Sequence, residues 1–214
     1  MSNFEDIEEE EEDDANGEDI KVILVGEPGT GKTSLINVSV GQKFKEISQS
    51  TLLSTFVPKT FTKNGKDYVL NIWDTAGQEK YRAMTKIFIK NAKIVVFVYA
   101  INTQLSFEGL KTYWINTIKD ALGEEPIFGM VGNKCDLFMH EEVKESEAKE
   151  YAQEKGMDFK LVTAKEDPDG FIDFLSLLLD RFLEKKDMGS KRKTIFINKN
   201  DINEDKEKKR CCKK

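Results

Sequence analysis

Gly26-Glu27-Pro28-Gly29-Thr30-Gly31-Lys32-Thr33 is the stretch whose residue types and spacing point most directly to a chemistry. It fits Gly-x-x-x-x-Gly-Lys-Thr, a pattern that wraps phosphate groups. A loop that cradles phosphates must turn its backbone N–H groups inward, and glycines admit the dihedrals this needs. A helix starting near Lys32, with Ser34 in its first turn, adds unpaired N–H groups and a positive dipole end. Lys32 supplies a point charge to the outer phosphates, and Thr33 offers a hydroxyl to Mg²⁺. Taken alone, the loop does not choose between ATP and GTP, or between a kinase and a switch.

Three more stretches could complete such a site. Asp74-x-x-Gly77 pairs a carboxylate that can reach Mg²⁺ through water with a backbone N–H that can sense a terminal phosphate. Asn133-Lys134-x-Asp136 places a carboxylate where it can accept two N–H bonds from a guanine edge. Adenine has no such donor pair, so a buried carboxylate left unpaired would reject it. Thr163-Ala164-Lys165 offers a backbone N–H for the guanine carbonyl oxygen.

The elements that must position these residues alternate. Ile20 to Val25 is nearly all apolar, as a buried parallel strand would be. Lys32 to about Val40 reads as a helix ending near Gly41. Thr55 to Thr62 and Lys66 to Trp73 flank Asn64-Gly65, the signature of a type I′ hairpin. Pro58 lacks an N–H and puts the first hairpin strand at an edge. Ile94 to Ala100, Ile127 to Gly132 and Phe159 to Thr163 read as further strands. Ser106 to Ala121 and Glu141 to Lys155 read as helices. A last helix is expected from Asp167-Pro168, with aspartate as cap and proline in the first turn, to about Lys186. This order predicts an α/β fold, a mostly parallel sheet with helices on both faces.

Composition bounds the rest. The 214 residues suffice for one domain plus tails, and no apolar run is long enough to span a bilayer. Residues 1–19 are expected to form an acidic disordered arm, with eleven acids between Glu5 and Asp19 and no basic residue. The acidic start does not read as a secretory signal. The formal charge of −6 therefore hides a basic remainder. Residues 20–186 form the expected domain, and 187–214 a lysine-rich flexible tail without helical periodicity. Three cysteines, Cys135, Cys211 and Cys212, make no disulfide framework. Cys135 reads as a space-filling residue, and His140, the single histidine, as a solvated side chain.

The four motifs, in this order and each after a strand, resemble the Ras superfamily of small GTPases, and the Rab family within it. The resemblance spans about Asp19 to Lys186. It implies a three-layer P-loop NTPase G domain with about six strands, mostly parallel, and one antiparallel edge strand. It implies GTP/GDP binding with Mg²⁺ and slow GTP hydrolysis. By resemblance, Thr51 matches the threonine that binds Mg²⁺ and follows the γ-phosphate. Gln78 matches the glutamine that orients the attacking water, with Lys32 and Thr51 beside it in catalysis. Phe44 matches the aromatic stacked on guanine. Phe56, Trp73 and Phe88 match an aromatic triad shown to effectors. Cys211 and Cys212 resemble double-prenylation sites, and two lipids anchor far better than one.

Further expectations follow from the family. Partners are an exchange factor, a GTPase-activating protein, effectors, and Rab-type escort and GDP-dissociation proteins. A membrane is reached through the prenylated tail, and nucleic acid is not a partner. The protein would cycle between cytosol and the cytoplasmic face of endomembranes or vesicles. The sequence departs from the Rab pattern after Thr51 (Leu-Leu-Ser-Thr-Phe), at Phe88-Ile-Lys-Asn-Ala, and at Pro28 in the phosphate loop. Two alternatives remain open: a nucleotide-locked scaffold with little hydrolysis, motivated by Pro28, and a Ras-like signalling switch outside membrane traffic. A small-molecule kinase lacks an acceptor site or lid, and the Asn133 to Asp136 motif argues for guanine.

Overall fold

The computed structural model describes residues 18–46, 55–74, 89–123 and 125–208, with 189–208 as backbone. Six strands form one sheet: β1 (Glu18–Val25), β2 (Thr55–Lys63), β3 (Lys66–Asp74), β4 (Ile94–Ala100), β5 (Ile127–Asn133) and β6 (Asp158–Leu161). Their order is β2-β3-β1-β4-β5-β6, and only the β2–β3 pair is antiparallel. The hairpin turns where expected, with Asn64 at φ 53° and Gly65 at φ 76°. Pro58 lies opposite Asn71 on the edge strand, where its missing N–H costs least.

Side chains alternate across the central strands and build two cores. Ile20, Val22, Leu24, Ile94, Val96 and Val98 face one way, with α1 (Lys32–Ser39) and α4 (Pro168–Lys208). Ile23, Val25, Val95, Phe97 and Tyr99 face the other way, with α2 and α3 (Glu145–Glu154). Helix α2 has three parts: Gln104–Gly109, a π turn Leu110–Trp114, and Ile115–Leu122. The result is the expected three-layer sandwich. The first residues of every loop at issue follow the carboxyl ends of parallel strands, beside the point where strand order reverses around β1.

Several boundaries differ from the sequence reading. β1 begins at Glu18, so the last two acids assigned to the arm are in the sheet, and Glu18 takes two bonds from Lys186 Nζ at 2.6 and 2.7 Å. Helix α3 starts at Glu145 rather than Glu141, because Glu142 N–H and Val143 N–H donate to the Ile101 carbonyl and hold that segment straight. β6 ends at Leu161, which frees Thr163 to turn into the site. The start of α4 is as expected: Gly170 N–H donates to Asp167 Oδ1 at 3.0 Å, closing the cap. Its end is not. The helix was expected to stop near Lys186, with a flexible tail from Asp187, yet its backbone continues to Lys208. Residues 187–208 contain no proline and one glycine, Gly189, so nothing in backbone chemistry stops the hydrogen-bond ladder. Apolar periodicity reports packing, and its fading does not by itself end a backbone helix.

Candidate functional site

The phosphate loop leaves β1 at Val25 and enters α1 at Lys32. A Cβ at Gly26 would strike the Val98 carbonyl of β4. Gly31 holds φ at 90°, and a Cβ there would displace the Asn133 amide, so both conformation and space require glycine. Thr30 Oγ1 donates to the Glu27 carbonyl at 3.0 Å, and Pro28 and Gly29 lie exposed at the tip. Lys32 is 5% exposed and donates to the Gly26 and Glu27 carbonyls, both at 2.9 Å. Burial pushes its pKa down to about 8, against the pull of Asp74 and then Glu27.

Thr33 Oγ1 donates to Asp74 Oδ2 at 2.7 Å, joining the start of α1 to the end of β3. Asp74 is 5% exposed. One hydroxyl and one buried carboxylate, side by side near a phosphate loop, fit Mg²⁺, which takes a few protein oxygens and completes its shell with phosphates and water. Among the described residues no cluster of three or more His, Cys, Asp or Glu gathers elsewhere as a rival cation cage.

The residues expected on the base side come from the ends of β5 and β6. Asn133 is 1% exposed and works in two directions. Its Nδ2 donates to the Thr30 carbonyl at 2.8 Å, and its Oδ1 accepts from Ala164 N–H at 3.3 Å. One amide thus braces the phosphate loop against the last loop, across 103 residues of chain. Lys134 adopts φ 65°, an uncommon conformation for a residue with a Cβ, and burial lowers its pKa while Asp136 opposes the shift. Asp136 Oδ1 accepts from Thr163 Oγ1 at 2.6 Å. The same hydroxyl accepts from Lys165 N–H at 3.1 Å. The Thr163 hydroxyl thus links Asp136 to the turn after β6.

Other expected site residues fall as follows. Ser34 lies half-buried in the first turn of α1. Phe44 is partly buried against the α1–α4 core. Phe56 is 50% exposed and its ring lies 5.0 Å from that of Trp73. Trp73 also carries Lys21 Nζ at 4.5 Å from its centroid. Cys135 is half-buried against the α2–α3 core, which raises its thiol pKa, and His140 ends an exposed turn. Thr51, Gly77, Gln78, Phe88, Cys211 and Cys212 lie outside the described residues.

Two residues escaped the sequence reading. Trp114, fully buried in the π turn of α2, donates its indole N–H to Glu27 Oε1 at 3.0 Å. Gly109 gives Glu27 room, since a Cβ there would lie 2.6 Å from Glu27 Cγ. The one available signal was the acid itself: a carboxylate in a phosphate loop needs a partner that turns it away from the ligand.

Residues 21–179 match the Ras family. The chain is 37% identical over 164 residues to Ras-related protein Rab-21 of Geodia cydonium, covering 77% of this chain and 71% of that protein. It is 35% identical over 145 residues to Ras-related protein Rab5A of Oryza sativa subsp. japonica, covering 68% and 71%. It is 33% identical over 145 residues to Ras-related protein RABF2b of Arabidopsis thaliana, covering 68% and 72%.

Proposed function

The chain belongs to the Ras family as a Rab-like small GTPase of membrane traffic that hydrolyses GTP, and from that premise we propose which of its residues run the switch. Guanine nucleotide lies across the two braced loops, phosphates at Gly26 to Ser34 and base at Asn133, Lys134, Asp136 and Thr163 to Lys165. The observation that carries this reading is the Asn133 side chain, which joins Thr30 of one loop to Ala164 of the other and so makes them one site. Mg²⁺, when bound, neutralises charge on the phosphates. Thr33 and Thr51 would hold it, with Asp74 acting through water.

The buried ammonium of Lys32 faces the outer phosphates, and Phe44 covers the base. Gln78 orients a water toward the γ-phosphorus. Attack forms the new P–O bond as the bond to the β-phosphate oxygen breaks, giving GDP and phosphate. Thr51 and Gly77 then lose the group that held their loops, which is the switch. Regulators and effectors are partners of such a protein. Here the finer assignment is an exchange factor, an activating protein, escort and GDP-dissociation proteins, and effectors that read Phe56, Trp73 and Phe88. Geranylgeranyl groups on Cys211 and Cys212 would hold the tail on the cytoplasmic face of endomembranes or vesicles, and intact-mass measurement on protein from its own cells decides that point.

The test of the site is competition binding with GTP, XTP and ATP. Wild type should prefer GTP. Asp136→Asn should lose GTP affinity by about 10² or more and gain relative preference for XTP, because the amide no longer accepts both guanine N–H bonds. Equal affinity of wild type for ATP and GTP overturns the reading.

A further inference from the structure

We propose that Trp114 and Gly109 are positioning residues of the phosphate loop, acting through Glu27 to set how long nucleotide stays bound; the inference rests on the guanine-nucleotide reading above. Glu27 is a carboxylate at the second position of a loop built for polyanions. Aimed into the cradle, it would repel phosphate. Its side chain is turned to α2 instead. Oε1 accepts the Trp114 N–H at 3.0 Å, and its Cγ, Oε1 and Cδ lie 2.6, 2.7 and 2.9 Å from where a Gly109 Cβ would be.

The π turn makes this seat. Gly109 and Trp114 are five residues apart, which in an α-helix would place them about 140° apart around the axis. Across a π turn, whose hydrogen bonds run i to i+5, such residues lie one above the other. Leu110–Trp114 is that turn, so the bare glycine and the indole N–H both meet Glu27. The same residue's carbonyl accepts from Lys32 Nζ and Thr30 Oγ1. Fixing the side chain therefore fixes the carbonyl on which the lysine and the loop tip are built. A loop held this way is already ordered when nucleotide arrives; a released one must be ordered by binding, and its free carboxylate then faces the phosphates. Both effects shorten residence.

The experiment follows release of a fluorescent GDP analogue from the Mg²⁺-loaded full chain. Gly109→Ala and Trp114→Phe should each speed release by about tenfold, the scale of one lost bond to a charged group. Glu27→Gln keeps an acceptor oxygen for the indole and should speed release less than Trp114→Phe does. In a Glu27→Ala background, Gly109→Ala should add nothing to the release rate, because its methyl meets no carboxylate. Alanine favours a helix over glycine, so the thermal midpoint of that double variant should not fall below that of Glu27→Ala. Wild-type release from both Gly109→Ala and Trp114→Phe overturns the proposal, as does an undiminished Gly109→Ala effect in the Glu27→Ala background. Amide exchange at residues 27 and 29–31 without nucleotide supplies a second measure: it should quicken in Gly109→Ala, and unchanged exchange also overturns the tether. If wild type shows no preference for GDP over ADP, the guanine reading alone falls, and amide exchange still decides the tether.

Discussion

On the proposed phosphate side the charged group is an ammonium, Lys32, 5% exposed and held by two main-chain carbonyls. On the proposed base side it is a carboxylate, Asp136, half-buried and held by one threonine hydroxyl. The first is fixed by backbone that glycines fold around it, and its charge is strained by burial. The second is fixed by a side-chain hydroxyl, which also accepts from Lys165 N–H. The phosphate side should therefore govern how tightly any nucleotide binds, and its strength should move with pH. The base side should govern which nucleotide binds.

The largest effect should come from Lys32→Met. It removes the buried charge opposite the phosphates and should weaken GDP and XDP alike, by about 10² or more, as expected for truncating one partner of a buried charge pair. Equilibrium titration measures it; a change in the ratio of the two nucleotides would break the division of labour. Thr163→Val is next. It strips the hydroxyl from Asp136 and from Lys165 N–H and should lower discrimination of GTP over ATP by about tenfold while sparing phosphate affinity.

The pH dependence is smaller and has a definite sign. The Lys32 pKa is about 8 in the folded protein and 10.5 unfolded, so between these values the unfolded state holds the extra proton. In nucleotide-free protein, burial of the ammonium costs stability below pH 8, and that cost is relieved as pH rises from about 8 toward 10.5. Phosphate binding runs the other way, because it needs the ammonium. Calorimetry of GDP binding near pH 8 in buffers of different ionisation enthalpy should detect uptake of about half a proton, and none with Lys32→Met. The smallest expected effect is that of deleting residues 1–17. Glu18 and its bond to Lys186 remain, so stability of the GDP form should change by no more than about 0.5 kcal/mol and selectivity not at all. A larger loss in a thermal melt would show that the arm packs on the domain.

The same contrast explains what could be read in advance. The strand segments, the Asn64-Gly65 hairpin, the Asp167 cap and the loop sequences are local signals, and each was legible because its physics is local. The Thr163 bond to Asp136 was half legible: both residues were singled out, but their contact depends on β6 ending early, at Leu161. The Glu27–Trp114 bond was not legible. It spans 87 residues and exists because of a π turn that leaves no mark in apolar spacing. The continuation of α4 to Lys208 was not legible, because apolar periodicity reports packing rather than whether backbone hydrogen bonds continue.

That continuation turns the end of the chain into a lever. From Lys186 to Lys208 the helix extends about 33 Å at 1.5 Å per residue. A flexible coil of the same length would average about 26 Å end to end, a similar reach in no particular direction. The helix adds aim. Its base is set by contacts that are individually weak in energy: Lys63 with Asp180 at 2.8 Å, Lys185 with the Glu125 carbonyl at 2.8 Å, and Lys186 with Glu18. A tilt of about 10° at that base would sweep the far end about 6 Å, so surface ion pairs of little thermodynamic weight gain mechanical weight through length. A partner held at the Lys208 end of that helix would meet one bearing of the domain.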